Sequence, residues 1–307
     1  TSRRMIRESL IYWAHEMGVD GFRFDLATIL NRDAAGNIMD SPQLLWEFRN
    51  DPSLKNINLI AEPCDASGGY ELVKAAGLED WVEWNDKYRD TVRCTLRGEE
   101  DMMVALKESI LGSLDIFGSV EYGRKCSLNF ITSHDGMTLM DLVLYNGKHN
   151  EANGENNRDD HNSEFAGNYG IEGLTDVPEI QKLHFRKLRM FHCLLQLSKG
   201  IPMLLGGDEF GRRQQGNNNA YCHDSELTWL DWELAGKNSQ LFLYTRRMIA
   251  VRKQYFPFLF SAKSNYQWFD ASGGAEEFAP YVRNLHYEVT NSEWPEQTIR
   301  ILINFFD

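Results

Sequence analysis

The chain has 307 residues, 42% hydrophobic and 25% charged, which is the balance of a globular protein with a sizeable core. Its formal net charge of −13 opposes binding to nucleic-acid phosphates and to anionic membranes, and leaves a neutral, polyhydroxylated partner as the easier one. No apolar run reaches bilayer length, and residues 1–9 lack the apolar stretch of a secretory signal.

In chain order, Met5, Ile6, Leu10, Trp13, Ala14 and Met17 recur at helical spacing, so residues 3–17 read as an amphipathic helix that Gly18 ends. A short strand follows at 21–26, a helix at 42–50, and an apolar strand at 57–61 closed by Pro63. Residues 102–111 read as a helix, 128–132 as a strand, 180–198 as a long helix and 201–205 as a strand. Strand and helix in repetition argue for a parallel α/β architecture. Residues 146–178 break the rhythm with a long polar segment of the kind that carries function or is disordered. After about residue 260 the pattern turns to β-rich pieces at 266–269, 278–282 and 298–305, which places a domain boundary near Ser261. Five cysteines (Cys64, Cys94, Cys126, Cys193, Cys222) form an odd, scattered set without a C-x-x-C pair, which reads as reduced thiols in a cytoplasmic protein.

Three carboxylates, Asp25, Glu62 and Asp135, sit at the C-terminal ends of expected strands, where the loops of (β/α) barrels collect catalytic groups. In Gly21-Phe22-Arg23-Phe24-Asp25, the two-residue strand period turns Arg23 and Asp25 to one face and the two phenylalanines to the other. In Leu59-Ile60-Ala61-Glu62-Pro63, an apolar strand leads straight into a carboxyl, whose pKa desolvation tends to raise, as a general acid needs. In Ser133-His134-Asp135, an imidazole adjoins the third carboxylate. A single such residue is more often a helix cap or a surface charge. Metal binding by the three is the rival function, weakened by the absence of a paired histidine motif, so no metal site is expected.

These segments resemble those of the α-amylase superfamily of glycoside hydrolases. Further stretches, Glu83-Trp84-Asn85-Asp86, Lys148 to Glu155, Gly207-Asp208-Glu209 and Gly216 to Tyr221, resemble its isoamylase and glycogen-debranching branch. The resemblance covers nearly everything up to about residue 257. It implies a partial (β/α)8 TIM barrel, about strands four to eight, over 1–260, and the start of a β-sandwich C-terminal domain over 261–307. It also implies Asp25 as nucleophile, Glu62 as acid/base and Asp135 as transition-state stabiliser, with Arg23 orienting Asp25 and His134 binding sugar hydroxyls. The expected reaction is retaining hydrolysis of α-1,6 branch linkages in a branched α-glucan (glycogen, amylopectin or limit dextrin), without a cofactor. A non-catalytic glucan-binding subunit and an enzyme acting on α-1,4 bonds are the alternatives. The expected compartment is the cytoplasm, or the plastid in a photosynthetic eukaryote.

His149 and Glu151, in the polar segment, are expected substrate contacts. Trp81, Trp84, Tyr145, Tyr169, Tyr221, Trp229 and Trp232 offer faces for sugar stacking, although packing is the simpler role for most of them. The resemblance also exposes departures. Cys64 stands where the branch usually has tryptophan, Met137 where it has phenylalanine, and residues 160–168 are poorer in Asn and Trp than the usual loop. These are expected to alter the binding surface. The family's first segment is missing, so the isolated chain is expected to be an inactive fragment of a longer enzyme.

Overall fold

A computed structural model describes residues 2–33, 35–37, 39, 42–63, 81–118, 126–162, 164–269 and 282–305. Cys64 and residues 278–281 of one expected strand lie outside them. The chain divides into two compact units, residues 1–85 with 112–128, and residues 86–111 with 129–307.

The first unit opens with helix α1 (Ser2–His15), then strand β1 (Gly21–Phe24), helix α2 (Gln43–Asn50) and strands β2 (Asn58–Ala61) and β3 (Val82–Asn85). The sheet order is β1-β2-β3, with β1 and β2 parallel and β2 and β3 parallel. Gly21 pairs with Asn58, and a Cβ at 21 would lie 2.6 Å from the Asn58 carbonyl oxygen, so only glycine permits this approach. In α2 the apolar residues fall three and four apart: Leu44, Leu45 and Phe48 are buried, with Leu54, Leu59, Ala61 and Trp81, in the unit's core. Phe24 packs there too, its ring 5.7 Å from Phe48 and 5.0 Å from Trp81.

Strand β3 was not legible because it inverts the usual pattern. Its Glu83 and Asn85 are buried, and Asn85 donates through Nδ2 to Ser113 Oγ (2.7 Å) and Ser127 Oγ (2.8 Å). A polar residue so satisfied leaves no apolar signal.

In the second unit, α3 (Asp86–Arg97) and α4 (Met103–Ile110) are followed by the long polar segment, α5 (Pro178–Leu197) and α6 (Ser239–Leu259). Three antiparallel strands, β4 (Ser264–Phe269), β5 (Asn284–Asn291) and β6 (Thr298–Asn304), close the chain. Leu188, Phe191, Leu194 and Leu195 of α5 enter a core shared with Tyr88, Val92, Leu142, Val143, Tyr287 and Val289. Arg252 of α6 is buried and donates to the carbonyls of Gln196, Ser198 and Gly200 at 2.7, 2.8 and 2.6 Å, satisfying the open C-terminal end of α5. The expected strands at 128–132 and 201–205 are shorter: strand covers Ser127–Asn129 and Ile201–Pro202, with one more bond from Met203 N to Asn129 O at 2.8 Å, and the residues beyond are irregular. The β-rich end holds at 264–269 and 298–304. Its middle strand at 284–291 was hidden because buried Leu285, Tyr287 and Val289 alternate with polar His286 and Glu288.

Candidate active site

Strand β1 ends at Phe24, one residue before Asp25, and the chain turns through Leu26, a non-glycine residue at φ 42°. That strained turn presents the Leu26 N–H to Glu62 Oε2 at 2.8 Å. The backbones are laced together as well: Glu62 N donates to Phe24 O, and Ala27 N to Glu62 O, each at 3.0 Å. Arg23 joins the two acids. It donates to Asp25 Oδ1 at 2.7 Å and lies 3.1 Å from Glu62 Oε2, while its guanidinium sits 4.2 Å above the Trp84 ring. The faces are as the strand period requires, with Arg23 toward the acids and Phe24 in the core.

Asp25 keeps 75% of its side chain exposed and Glu62 only 20%, so one carboxylate is open and the other half-enclosed. Burial raises the Glu62 pKa. The Leu26 N–H and the Arg23 charge oppose the rise, and the Asp25 charge reinforces it, leaving a net shift upward.

Asp135, in the second unit, lies on a turn beyond the shortened strand. His134 Nε2 is 3.2 Å from Asp135 Oδ2, both side chains are mostly exposed, and Ser133 Oγ donates to Asp135 O at 3.0 Å. Gly136 has φ 93°, and its N–H donates to Asn218 O at 2.9 Å. A Cβ at 136 would meet the Glu164 carboxylate at 3.3 Å. Beneath this turn is a buried polar frame. Arg93 Nε donates to Ile131 O (2.9 Å) and its NH1 to Glu164 Oε2 (2.8 Å), with both side chains only 3% exposed. Burial pushes the Glu164 carboxyl up, but Arg93, Asn218 and His161 outweigh it and hold the pKa below its usual value. Asp208, fully buried, accepts from Thr132 Oγ1 and from Leu139 N (3.0 Å), and burial pushes its pKa up to about 7. Asp141, also buried, accepts from Thr138 Oγ1 (2.9 Å) and Gln214 N (2.6 Å) and is pushed up to about 6.

His149 donates or accepts at Glu172 Oε1 over 2.8 Å, and its other ring nitrogen is 3.9 Å from Glu151 Oε2. Glu172 was not anticipated. The polar segment is ordered by side-chain amides: Asn150 and Asn218 bond to each other twice, at 2.7 and 3.0 Å, and Asp159 Oδ2 accepts from Asn150, Asn153 and Asn219. Of the departures expected at the binding surface, Met137 and part of the 160–168 stretch prove to be interior, while Asp160, His161 and Asn162 are exposed. Met137 is 0% exposed and Ala166 4%, both within the apolar core, and Glu164 is the partner of Arg93. The Met137, Glu164 and Ala166 side chains face inward, so these positions bear on packing, and residues 160–162 remain at the surface. Of the expected stacking residues, Trp81 and Trp84 are buried and Tyr169 donates to Leu96 O, whereas Tyr221, Trp229 and Trp232 are exposed.

No family model matches the chain. A glycogen operon protein GlgX homolog of Mycobacterium bovis is 46% identical over 254 residues, covering 82% of this chain and 35% of that protein. A glycogen debranching enzyme of Pectobacterium carotovorum is 38% identical over 302 residues, covering 97% of this chain and 44% of that one. The chain thus spans between a third and a half of the length of these relatives. Among solved structures, the type I pullulanase of Bacillus subtilis, complexed with maltose, matches with a TM-score of 0.69 at 20% identity, over 99% of this chain and 39% of that one. This likeness establishes the fold, an α/β arrangement around a parallel sheet.

Proposed function

We propose, from the premise that this chain belongs to the isoamylase and glycogen-debranching branch of the α-amylase superfamily, that its protein is a retaining glycoside hydrolase of α-1,6 branch linkages. In this reading residues 1–260 form the later strands of a (β/α)8 barrel, and residues 261–307 begin a β-rich domain. The substrate is a branched α-glucan such as glycogen, amylopectin or a limit dextrin, and the compartment is the cytoplasm.

The observation that carries the proposal is the pairing of two carboxyls in different states around Arg23. Asp25 is open and bonded to the Arg23 cation, placed to serve as the nucleophile. Glu62 is half-enclosed and burial moves its pKa upward, the direction a proton donor needs. Asp25 attacks the anomeric carbon, the bond to the branch oxygen breaks, and that oxygen takes the Glu62 proton. A water then adds to the same carbon, gives its proton to Glu62, and releases Asp25. Asp135 holds the distorted sugar by its hydroxyls, and His134 bonds the same ring. His149 and Glu151 contact the chain further out. These steps use side chains and water only.

The test is Glu62→Gln in the full-length protein, assayed on amylopectin by counting new reducing ends. The expected kcat falls by several orders of magnitude while substrate binding is largely kept. A variant within tenfold of wild type removes the assignment.

A further inference from the structure

The parallel register of the first unit gathers three kinds of side chain on one face of its sheet. Arg23 on β1 stands opposite Ile60 on β2, and Ile60 stands opposite Val82 on β3. Side chains alternate along a strand, so Asp25, Glu62 and Trp84, each two residues further on, turn to that same face. Trp81, out of phase with Trp84, turns to the other and packs on Phe24, 5.0 Å between ring centres. Three neighbouring strands thus bring a cation, two carboxyls and an indole together. The Arg23 guanidinium reaches across β2 and lies 4.2 Å from the Trp84 ring centre.

Hydrogen bonds alone do not hold Arg23 in that place. Its NH1 donates to Asp25 Oδ1 at 2.7 Å, but Asp25 is only two residues away and 75% exposed, so that bond can follow the arginine as it moves. Its NH2 is 3.1 Å from Glu62 Oε2 without the alignment of a hydrogen bond, and its buried Nε has no hydrogen-bond partner among the described residues. A guanidinium so placed gains by swinging out to close a two-pronged bond on Asp25. An aromatic face within about 6 Å attracts a cation without using its N–H groups, and more strongly where water is excluded. Trp84 is only 8% exposed, so its face is taken up by Arg23 and is not open to a sugar.

We propose that Trp84 is a positioning residue, its indole face holding the Arg23 guanidinium between Asp25 and Glu62 so that one cation serves both carboxyls. The assignment rests on the debranching reading of those two acids. Without the indole, Arg23 follows the exposed Asp25 and leaves Glu62. The Arg23 charge opposes the rise of the Glu62 pKa, so its departure moves that pKa further up and the alkaline limb of activity with it.

The test uses the full-length protein on amylopectin, counting new reducing ends. Trp84→Leu keeps an apolar side chain without a π face. It lowers kcat about tenfold, leaves KM within about twofold, and shifts the alkaline limb of the kcat profile to higher pH. Trp84→Phe keeps a weaker face, loses about threefold, and decides the matter if Trp84→Leu does not fold. In an Arg23→Met background the Trp84 substitutions add no further loss, because the residue they act through is gone. A lower melting temperature with kcat and the pH profile unmoved makes Trp84 a packing residue and overturns the proposal. So does a loss that repeats in the Arg23→Met background. The debranching reading fails separately, if the wild-type protein releases no reducing ends. The Glu62 titration, read as the infrared carboxyl difference between each Trp84 variant and its Glu62→Gln counterpart, then still judges Trp84: a Glu62 pKa unmoved from wild type overturns its role.

Discussion

The surroundings of Asp25 in the first unit and of Asp135 in the second solve the same problem in different ways. Both acids are exposed, at 75% and 70% of their side chains. Asp25 is held by its own neighbours: Arg23, two residues away, bonds it and also Glu62, and adjacent strands fix all three. Asp135 meets His134 beside it, but its turn is framed from below by Arg93, Glu164, Asp141, Asp208 and Asn218, none of them within five residues of it. In the first region one cation joins both carboxylates. In the second, the turn is held by buried groups distant in sequence. Mutations should therefore separate activity from stability in the second region and not in the first.

The largest effect is expected at the first region's hub. Arg23→Met keeps an apolar stem over Trp84 but removes the charge shared by Asp25 and Glu62. The expected kcat on amylopectin falls by about a thousandfold, equivalent to about 4 kcal/mol of transition-state stabilisation. Folding stability changes by less than about 1 kcal/mol, because the ion pairs are partly solvated. Arg23 also opposes the rise of the Glu62 pKa, so the residual activity should extend to higher pH than in wild type. A melting temperature that falls with activity intact would erase the contrast between the regions.

The second region should answer in the opposite sense. Glu164→Gln leaves the Arg93 guanidinium buried without its countercharge, which costs on the order of 3 kcal/mol of stability. Activity per folded molecule should fall far less than in Arg23→Met. Adding Arg93→Met removes the stranded charge, so the double variant recovers part of the loss, as buried pairs replaced by neutral residues commonly do. Denaturant unfolding of the single and double variants checks this. A double variant less stable than Glu164→Gln would mean that Arg93 is held mainly by the Ile131 carbonyl.

This division also explains what the sequence disclosed. Arg23 and Asp25 were readable because the strand period turns them to one face, and Glu62, 37 residues beyond Asp25, because an apolar strand leads straight into it. The α/β repetition was readable for the same reason, through Leu44, Phe48 and Leu59. The frame under Asp135 was not. Arg93 and Glu164 are 71 residues apart, Asp208 and Leu139 69, and no local pattern records such a bond. A signal did exist in Asp141, a carboxylate inside the apolar run Leu139 to Leu144, where a charge needs an inward partner. Met137 misled for a related reason: its place after His134-Asp135-Gly136 suggests a surface role, but the turn at Gly136 directs the next side chain into the core.

The last test probes the frame without breaking it. Asp208→Asn preserves an oxygen for Leu139 N and gives Thr132 Oγ1 a donor in place of an acceptor, which a hydroxyl accommodates. What it removes is a titration. Burial lifts the Asp208 pKa from 3.8 to about 7, with Arg212 opposing and Glu209 reinforcing. The folded state thus holds a proton that the unfolded state has released. The resulting stability is fully present below pH 3.8 and is lost as pH rises through about 7. Asparagine has no such dependence, so its stability relative to wild type should climb over that window, by up to about 4 kcal/mol. His192, depressed to about 4 by burial, and Asp141, raised to about 6, titrate in both proteins and drop out of the difference. Denaturant midpoints of both proteins at matched pH values give that difference directly. If it stays flat with pH, Asp208 is ionised throughout, and the turn bearing Asp135 is anchored by a buried charge instead of a buried neutral acid.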